Sequence, residues 1–214
     1  MTKNDRPKKI FELLEKEYPQ AKIKLNYKNP WQLLVATILS AQCTDKRVNI
    51  ITKDLFKKHP RINDYLNMSQ QHLIKHIKSA GLYRNKAKNI LNTAKIIIKK
   101  FNGKVPDNLE DLVSLPGIAR KTANVILGNA YNKIEGIAVD THVKRLSYRL
   151  DLTYNKNPDK IEKDLMKLFP KNKWYKLTYL LIEHGRKICK APAPVCFKCL
   201  LNNLCPRQGL GRSF

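Results

Sequence analysis

The chain has 214 residues, room for one large domain or two small ones with a cooperative core, and its 42 Lys and Arg stand against 17 Asp and Glu for a formal charge of +25. The longest apolar run, Leu33 to Leu39 with Thr37 inside it, is far too short to span a bilayer, which excludes a helical membrane protein. The charge suits a polyanion such as nucleic acid, although a lysine- and asparagine-rich chain also reaches such values when each Lys is only a solvated surface residue. The first residues, Met1 to Pro7, lack the apolar core of a signal peptide, so the chain reads as intracellular, where reduced thiols are available to ligate metal.

Helical periodicity then dominates. A helix is expected over 8–17 and another over 30–42. After Thr44 an apolar stripe of Val48, Ile51, Leu55 and Phe56 marks a third, stopped by Pro60, which disfavours the α conformation at His59. A helix over 70–79 precedes Gly81-Leu82-Tyr83. Ala87, Ile90, Leu91, Ala94, Ile97, Ile98 and Phe101 form one stripe on a lysine-rich helix that ends at Asn102-Gly103-Lys104. Asp107 followed by Glu110 has the spacing of a capping box and predicts a short helix over 108–114. Helices are expected at 121–131, 141–150, 159–169 and 173–186. No stretch shows sustained period-two alternation, so the chain reads as all-α.

Between the short helix and the next lies Leu115-Pro116-Gly117-Ile118-Ala119-Arg120-Lys121-Thr122-Ala123-Asn124-Val125. A tight turn at a helix N-terminus offers backbone N–H groups, backed by the helix dipole, to a phosphate. Gly117 suits close approach because it has no side chain to intrude. An ordinary helix–helix connection would look the same if Leu-Pro-Gly stood alone.

Four cysteines close the chain in the pattern C-x6-C-x2-C-x5-C: Cys189, Cys196, Cys199 and Cys205. Four soft thiolates in one short run can wrap a single metal centre. Spacing leaves both zinc and a [4Fe–4S] cluster open, since only Cys196 and Cys199 form a close pair and no histidine lies inside the run. A disulfide framework fits less well without a secretory signal. Pro192, Pro194 and Pro206 argue against a regular helix here. Cys43 stands apart and is expected as a small buried side chain.

Taken in order, the 115–125 segment, Ala138-Val139-Asp140-Thr141-His142 and the cysteine run resemble the endonuclease III family, bifunctional DNA glycosylases and AP lyases of the helix–hairpin–helix superfamily. Ser40-Ala41-Gln42-Cys43-Thr44-Asp45 and Gly81-Leu82-Tyr83 resemble further family segments, and the likeness runs from about residue 8 to 206. It implies a two-domain helix–hairpin–helix glycosylase fold with a C-terminal iron–sulfur cluster loop: a six-helix domain over 24–133, and a cluster domain from 1–23 and 134–214, with the active site in the cleft between. The cofactor implied is a [4Fe–4S] cluster on Cys189, Cys196, Cys199 and Cys205. The implied partner is double-stranded DNA with damaged bases or abasic sites, met by a monomer near the nucleoid.

Residue by residue, Lys121 matches the nucleophile, an amine that attacks the sugar C1′. Asp140 matches the catalytic carboxylate and is also a candidate N-cap for the helix beginning at Thr141. Gln42 and Leu82 match residues that fill the gap left by a flipped base, a hydrogen-bonding plug and an apolar wedge. Gly117, Ala119, Arg120 and Lys190 are expected to contact DNA, with Arg186, Lys187 and Lys198 as further basic candidates; His142 reads as structural or phosphate-contacting. Asp45 is either an active-site carboxylate or a helix-start residue. Two departures stand out: Ala119 where the family usually has a second glycine, and one basic residue in Lys190-Ala191-Pro192-Ala193-Pro194-Val195. The expected activity is removal of oxidised pyrimidines followed by β-elimination. Its rivals are a monofunctional adenine or mismatch glycosylase of the same superfamily and a non-catalytic metal-stabilised DNA-binding module.

Overall fold

The computed structural model describes residues 5–211 and contains, among them, ten α-helices and no β-strand. The chain divides into two compact units. One runs from Lys24 to Glu135; the other takes the chain up to Ile23 and from Gly136 onward.

The Lys24–Glu135 unit is wound around α2 (Pro30–Ser40). Every residue of α2 from Trp31 to Leu39 is buried, as expected of a helix that is apolar on all sides. Asn29 caps it by accepting from the Gln32 N–H, and Pro30 sits at N1, where its missing N–H costs nothing. Around it pack α3 (Asp45–Lys58), α5 (Tyr83–Phe101) and α7 (Arg120–Ala130). α4 (Gln70–Ile77) lies on α3 and α5, and the short α6 (Leu109–Val113) on α7. α3 opens with Thr44 as N-cap and Asp45 as first residue, so Asp45 occupies a helix-start position. It ends before His59, ahead of Pro60 as the sequence predicts.

The capping expectation for the short helix needs correction. Asn108, not Asp107, accepts from the Asp111 N–H at 2.9 Å, while the Asp107 carboxylate is held by Lys133 Nζ at 2.6 Å. A cationic partner from the far end of the unit outcompetes the local cap, which one sequence window does not contain.

In the other unit α1 (Asp5–Glu17), α8 (Thr141–Arg149), α9 (Pro158–Leu168) and α10 (Lys171–Lys187) share one apolar core. Ile10 and Leu14 of α1 meet Val143 and Leu146 of α8, and Leu177 and Leu181 of α10, within it. Gly185 lets α8 and α10 approach closely: a Cβ there would lie 2.8 Å from His142 Nδ1 and 3.1 Å from Leu146 Cδ1. The cysteine run beyond α10 is irregular apart from one 3-10 turn, Cys196–Lys198.

Candidate active-site and DNA-contact residues

α5 is the scaffold of the first unit's candidate site. Leu82, Lys86, Asn89 and Thr93 recur at helical spacing and so share one face of it. Leu82 precedes the helix in the left-handed region at φ 58°, a conformation that costs a bulky residue of order 1–3 kcal/mol, and its side chain is 56% exposed rather than in the core. Gln42 is exposed and adopts the same region at φ 52°. The two turns are neighbours, because a Cβ on Gly81 would stand 3.4 Å from the Gln42 carbonyl oxygen. Thus the two candidate gap-filling side chains project from adjacent, strained turns. Cys43, expected to be buried, is only half-buried, because it lies in this exposed turn and not on the inner face of a helix.

Lys86 holds these turns in place and was not predicted. It is 4% exposed, and its ammonium donates to the Leu39 carbonyl at 2.8 Å and the Ala41 carbonyl at 2.6 Å, capping the C-terminus of α2 just ahead of Gln42. Burial lowers its pKa from the usual lysine value. Lys86→Met should leave both carbonyls without this donor and destabilise the protein by about 2–4 kcal/mol in urea unfolding. Damage-selective DNA binding should fall with it.

Further along the same face, Thr93 Oγ1 donates to the Pro116 carbonyl at 3.1 Å, and Asn89 packs under the hairpin turn. Gly117 has φ +79°, and a Cβ there would lie 2.7 Å from Asn89 Nδ2, so the turn requires glycine on both counts. Leu115 and Ile118 are buried and anchor the turn from below, while Gly117 and Ala119 are exposed. Ala119 sits at φ −87° and ψ 165°, extended backbone that any residue adopts, so its methyl is accommodated without strain. It is the N-cap of α7 yet gives no side-chain hydrogen bond, which leaves this helix start without the usual side-chain oxygen cap. Arg120 and Lys121 are the first two residues of α7, and Lys121 is exposed.

In the second unit Asp140 is the N-cap of α8. Its Oδ1 accepts from the His142 and Val143 N–H groups, each at 2.8 Å, and the helix dipole favours its charge. Both bonds fall on one oxygen, so capping fixes the carboxylate without using Oδ2. His142 takes a structural place: its Nδ1 lies 3.1 Å from Arg145 Nη2, and burial lowers its pKa below the usual imidazole value.

The same helix holds the cysteine run. Arg145 donates through Nε and Nη2 to the Cys189 carbonyl and through Nη2 to that of Gly185. Arg149, one turn on and 8% exposed, donates to the Lys190 and Ala191 carbonyls at 2.7 and 2.8 Å and to Cys189 Sγ at 3.3 Å. Neither arginine was predicted, although their i,i+4 spacing on the helix that Asp140 opens is a usable signal. Arg149→Met should leave two carbonyls without donors, cost about 2–4 kcal/mol, and speed the loss of bound metal on chelator challenge.

All four thiols of the run line one cavity together with Arg149 and His184. Burial pushes the Cys199 thiol up to about 11 and raises that of Cys205, so metal binding there would have to displace protons. His184 is 2% exposed, held neutral by burial at a pKa of about 4, and bridges Cys199 Sγ at 3.3 Å and the Tyr18 hydroxyl at 3.1 Å. Lys190, Arg186, Lys187 and Lys198 are all exposed around the run.

The model of the HhH-GPD superfamily of base excision DNA repair proteins matches residues 35–171. Endonuclease III of Synechocystis sp. is 49% identical over 96% of this chain and 94% of its own length, and that of Bacillus subtilis is 47% identical over 91% and 89%. A solved structure of a trapped endonuclease III–DNA covalent intermediate superposes with a TM-score of 0.92 at 41% identity, covering 97% of each chain. The hairpin, the lysine that follows it and the cysteine run therefore stand in a matching chain of nearly equal length, and the protein belongs to the endonuclease III family within the HhH-GPD superfamily.

Proposed function

We infer that the protein is a bifunctional DNA glycosylase and AP lyase that acts on damaged duplex DNA in base excision repair, with oxidised pyrimidines as its substrates. The observation that carries this reading is the placement of Lys121. It is the second residue of α7, directly after the glycine-dependent turn, in a chain 41% identical to one trapped as a covalent intermediate with DNA.

The turn and the start of α7 hold a backbone phosphate, with Arg120 adding charge. Gln42 and Leu82 enter the stack, and the damaged nucleotide turns out of the duplex at about a few kcal/mol, less where damage weakens stacking. The neutral Lys121 amine attacks C1′; the C1′–N bond breaks and the base leaves with its electron pair, taking a proton. Loss of the amine proton and opening of the sugar give a Schiff base, whose iminium form acidifies the C2′ hydrogens. Removal of one of them breaks the bond from C3′ to the 3′ phosphate oxygen, and hydrolysis of the imine regenerates the lysine. Asp140, with Oδ1 pinned by two amides, stabilises the positive charge that develops at C1′ and accepts the amine proton.

The Lys24–Glu135 unit is assigned as the hairpin-bearing six-helix domain, and the remainder as the cluster domain. The cysteines there are assigned to a [4Fe–4S] cluster. All four thiols line one cavity, as a single centre held by four thiolates requires, and neutral His184 can give its Nε2–H to a Cys199 thiolate. The cluster orders the loop, and Lys190 and its basic neighbours take DNA phosphates. Such an enzyme works beside the nucleoid; among the described residues no helix is long and apolar enough to cross a membrane.

The test is a duplex carrying one oxidised thymine, assayed both for released base and for strand scission. The expected result is both products at equal rates. Base release without scission would indicate a monofunctional glycosylase, and neither product from protein that binds the duplex would leave a binding module.

A further inference from the structure

A second cluster of metal-ligating side chains lies in the Lys24–Glu135 unit and includes no residue of the sites described above. His72 and His76 stand one turn apart on α4, and His59 caps the C-terminus of α3. The three ring centroids form a nearly equilateral triangle with sides of 5.4, 5.5 and 5.4 Å. One ring nitrogen from each lies within 4.8 Å of the others. The His59 ring meets its two partners at 84° and 78°, edge to face rather than stacked. Three imidazoles on a tetrahedral zinc, with bonds of about 2.0–2.1 Å, would place their centroids about 5 Å apart, a few tenths of an ångström inside the present triangle.

The site is also built from behind. Asp54 Oδ2 lies 3.2 Å from His76 Nδ1, the carboxylate–histidine contact that orients metal-bound imidazoles and leaves Nε2 for the ion. Tyr65, fully buried, donates to the His59 carbonyl at 3.3 Å and fixes that residue's backbone. Leu73 and Ile77 are buried and seat α4, so its outer face is held at a set angle. Lys58 shares Asp54 at 3.4 Å and opposes a cation, but imidazole binds a metal ion through its lone pair.

We propose that His59, His72 and His76 bind one divalent transition-metal ion, zinc by preference, with Asp54 as the orienting partner of His76 and water in the fourth position. The ion would tie the end of α3 to α4 across the intervening 3-10 turn, Ile62–Tyr65.

The experiment is titration of the cluster-loaded protein with zinc chloride in a calorimeter, repeated with cobalt chloride and read by visible absorption. His72 is exposed, so His72→Ala should keep the fold. One zinc equivalent is expected, with affinity reduced about tenfold in Asp54→Asn and more in His72→Ala. Bound zinc should raise the melting temperature of the wild type and not of His72→Ala. The cobalt spectrum should show tetrahedral d–d bands without thiolate charge transfer, while the cluster absorbance stays constant. The proposal is overturned if zinc binds His72→Ala as tightly as wild type, if no saturable equivalent binds, or if cobalt reports thiolate ligation. Base release and strand scission by protein without the added ion are independent of all three results.

Discussion

Lys121→Ala should lower strand scission at an abasic site by about 10⁴-fold or more while leaving the protein folded. The side chain is exposed at the start of α7, so truncating it removes no core packing, and stability should stay within about 0.5 kcal/mol of wild type. Without the amine no iminium forms, the C2′ hydrogens keep their ordinary acidity, and the β-elimination has no driving group. Lys121→Arg should fail nearly as completely, because a guanidinium stays protonated and is not a nucleophile. Both variants should retain duplex binding, since phosphate recognition belongs to the turn before them. Single-turnover cleavage with urea unfolding as the fold control checks all of this. A variant that cleaves at even a tenth of the wild-type rate would place the nucleophile elsewhere.

Asp140→Asn should lower base release by about 10²–10⁴-fold with almost no change in stability. Asparagine is as good an N-cap as aspartate, so Oδ1 can still accept from the His142 and Val143 N–H groups while the charge is gone. Asp140→Ala removes both roles and should add a stability loss of about 1 kcal/mol to the same kinetic defect. The pair separates cap from catalyst. If Asn is active and Ala is not, Asp140 is only a cap.

The sequence carries the helices well and the side-chain network poorly, for a physical reason. Apolar periodicity reports which face is buried, so α3 and α5 could be read from Val48-Ile51-Leu55 and Ala87-Ile90-Ala94. The hairpin, Lys121 and Asp140 were legible as ordered motifs. Asp140 as the cap of α8 was further legible from its position ahead of Thr141. What stayed hidden depends on tertiary proximity. Lys86 looks like any surface lysine until α2 ends against it, and Asp107 leaves its predicted cap for Lys133, distant in sequence. Arg145 and Arg149 acquire meaning only once the Cys189–Ala191 carbonyls fold back onto α8. The left-handed backbone of Leu82 is equally invisible, because leucine gives no hint of positive φ.

Borohydride trapping reports the Schiff base and its nucleophile together. Cluster-loaded wild-type protein would be incubated with a duplex bearing an abasic site or an oxidised thymine, reduced, digested and mapped by mass spectrometry. A stable protein–DNA adduct on the peptide carrying Lys121, absent from Lys121→Ala, is expected. An adduct on another residue would place the nucleophile there, and none from protein shown to bind the duplex would rule out a Schiff-base lyase.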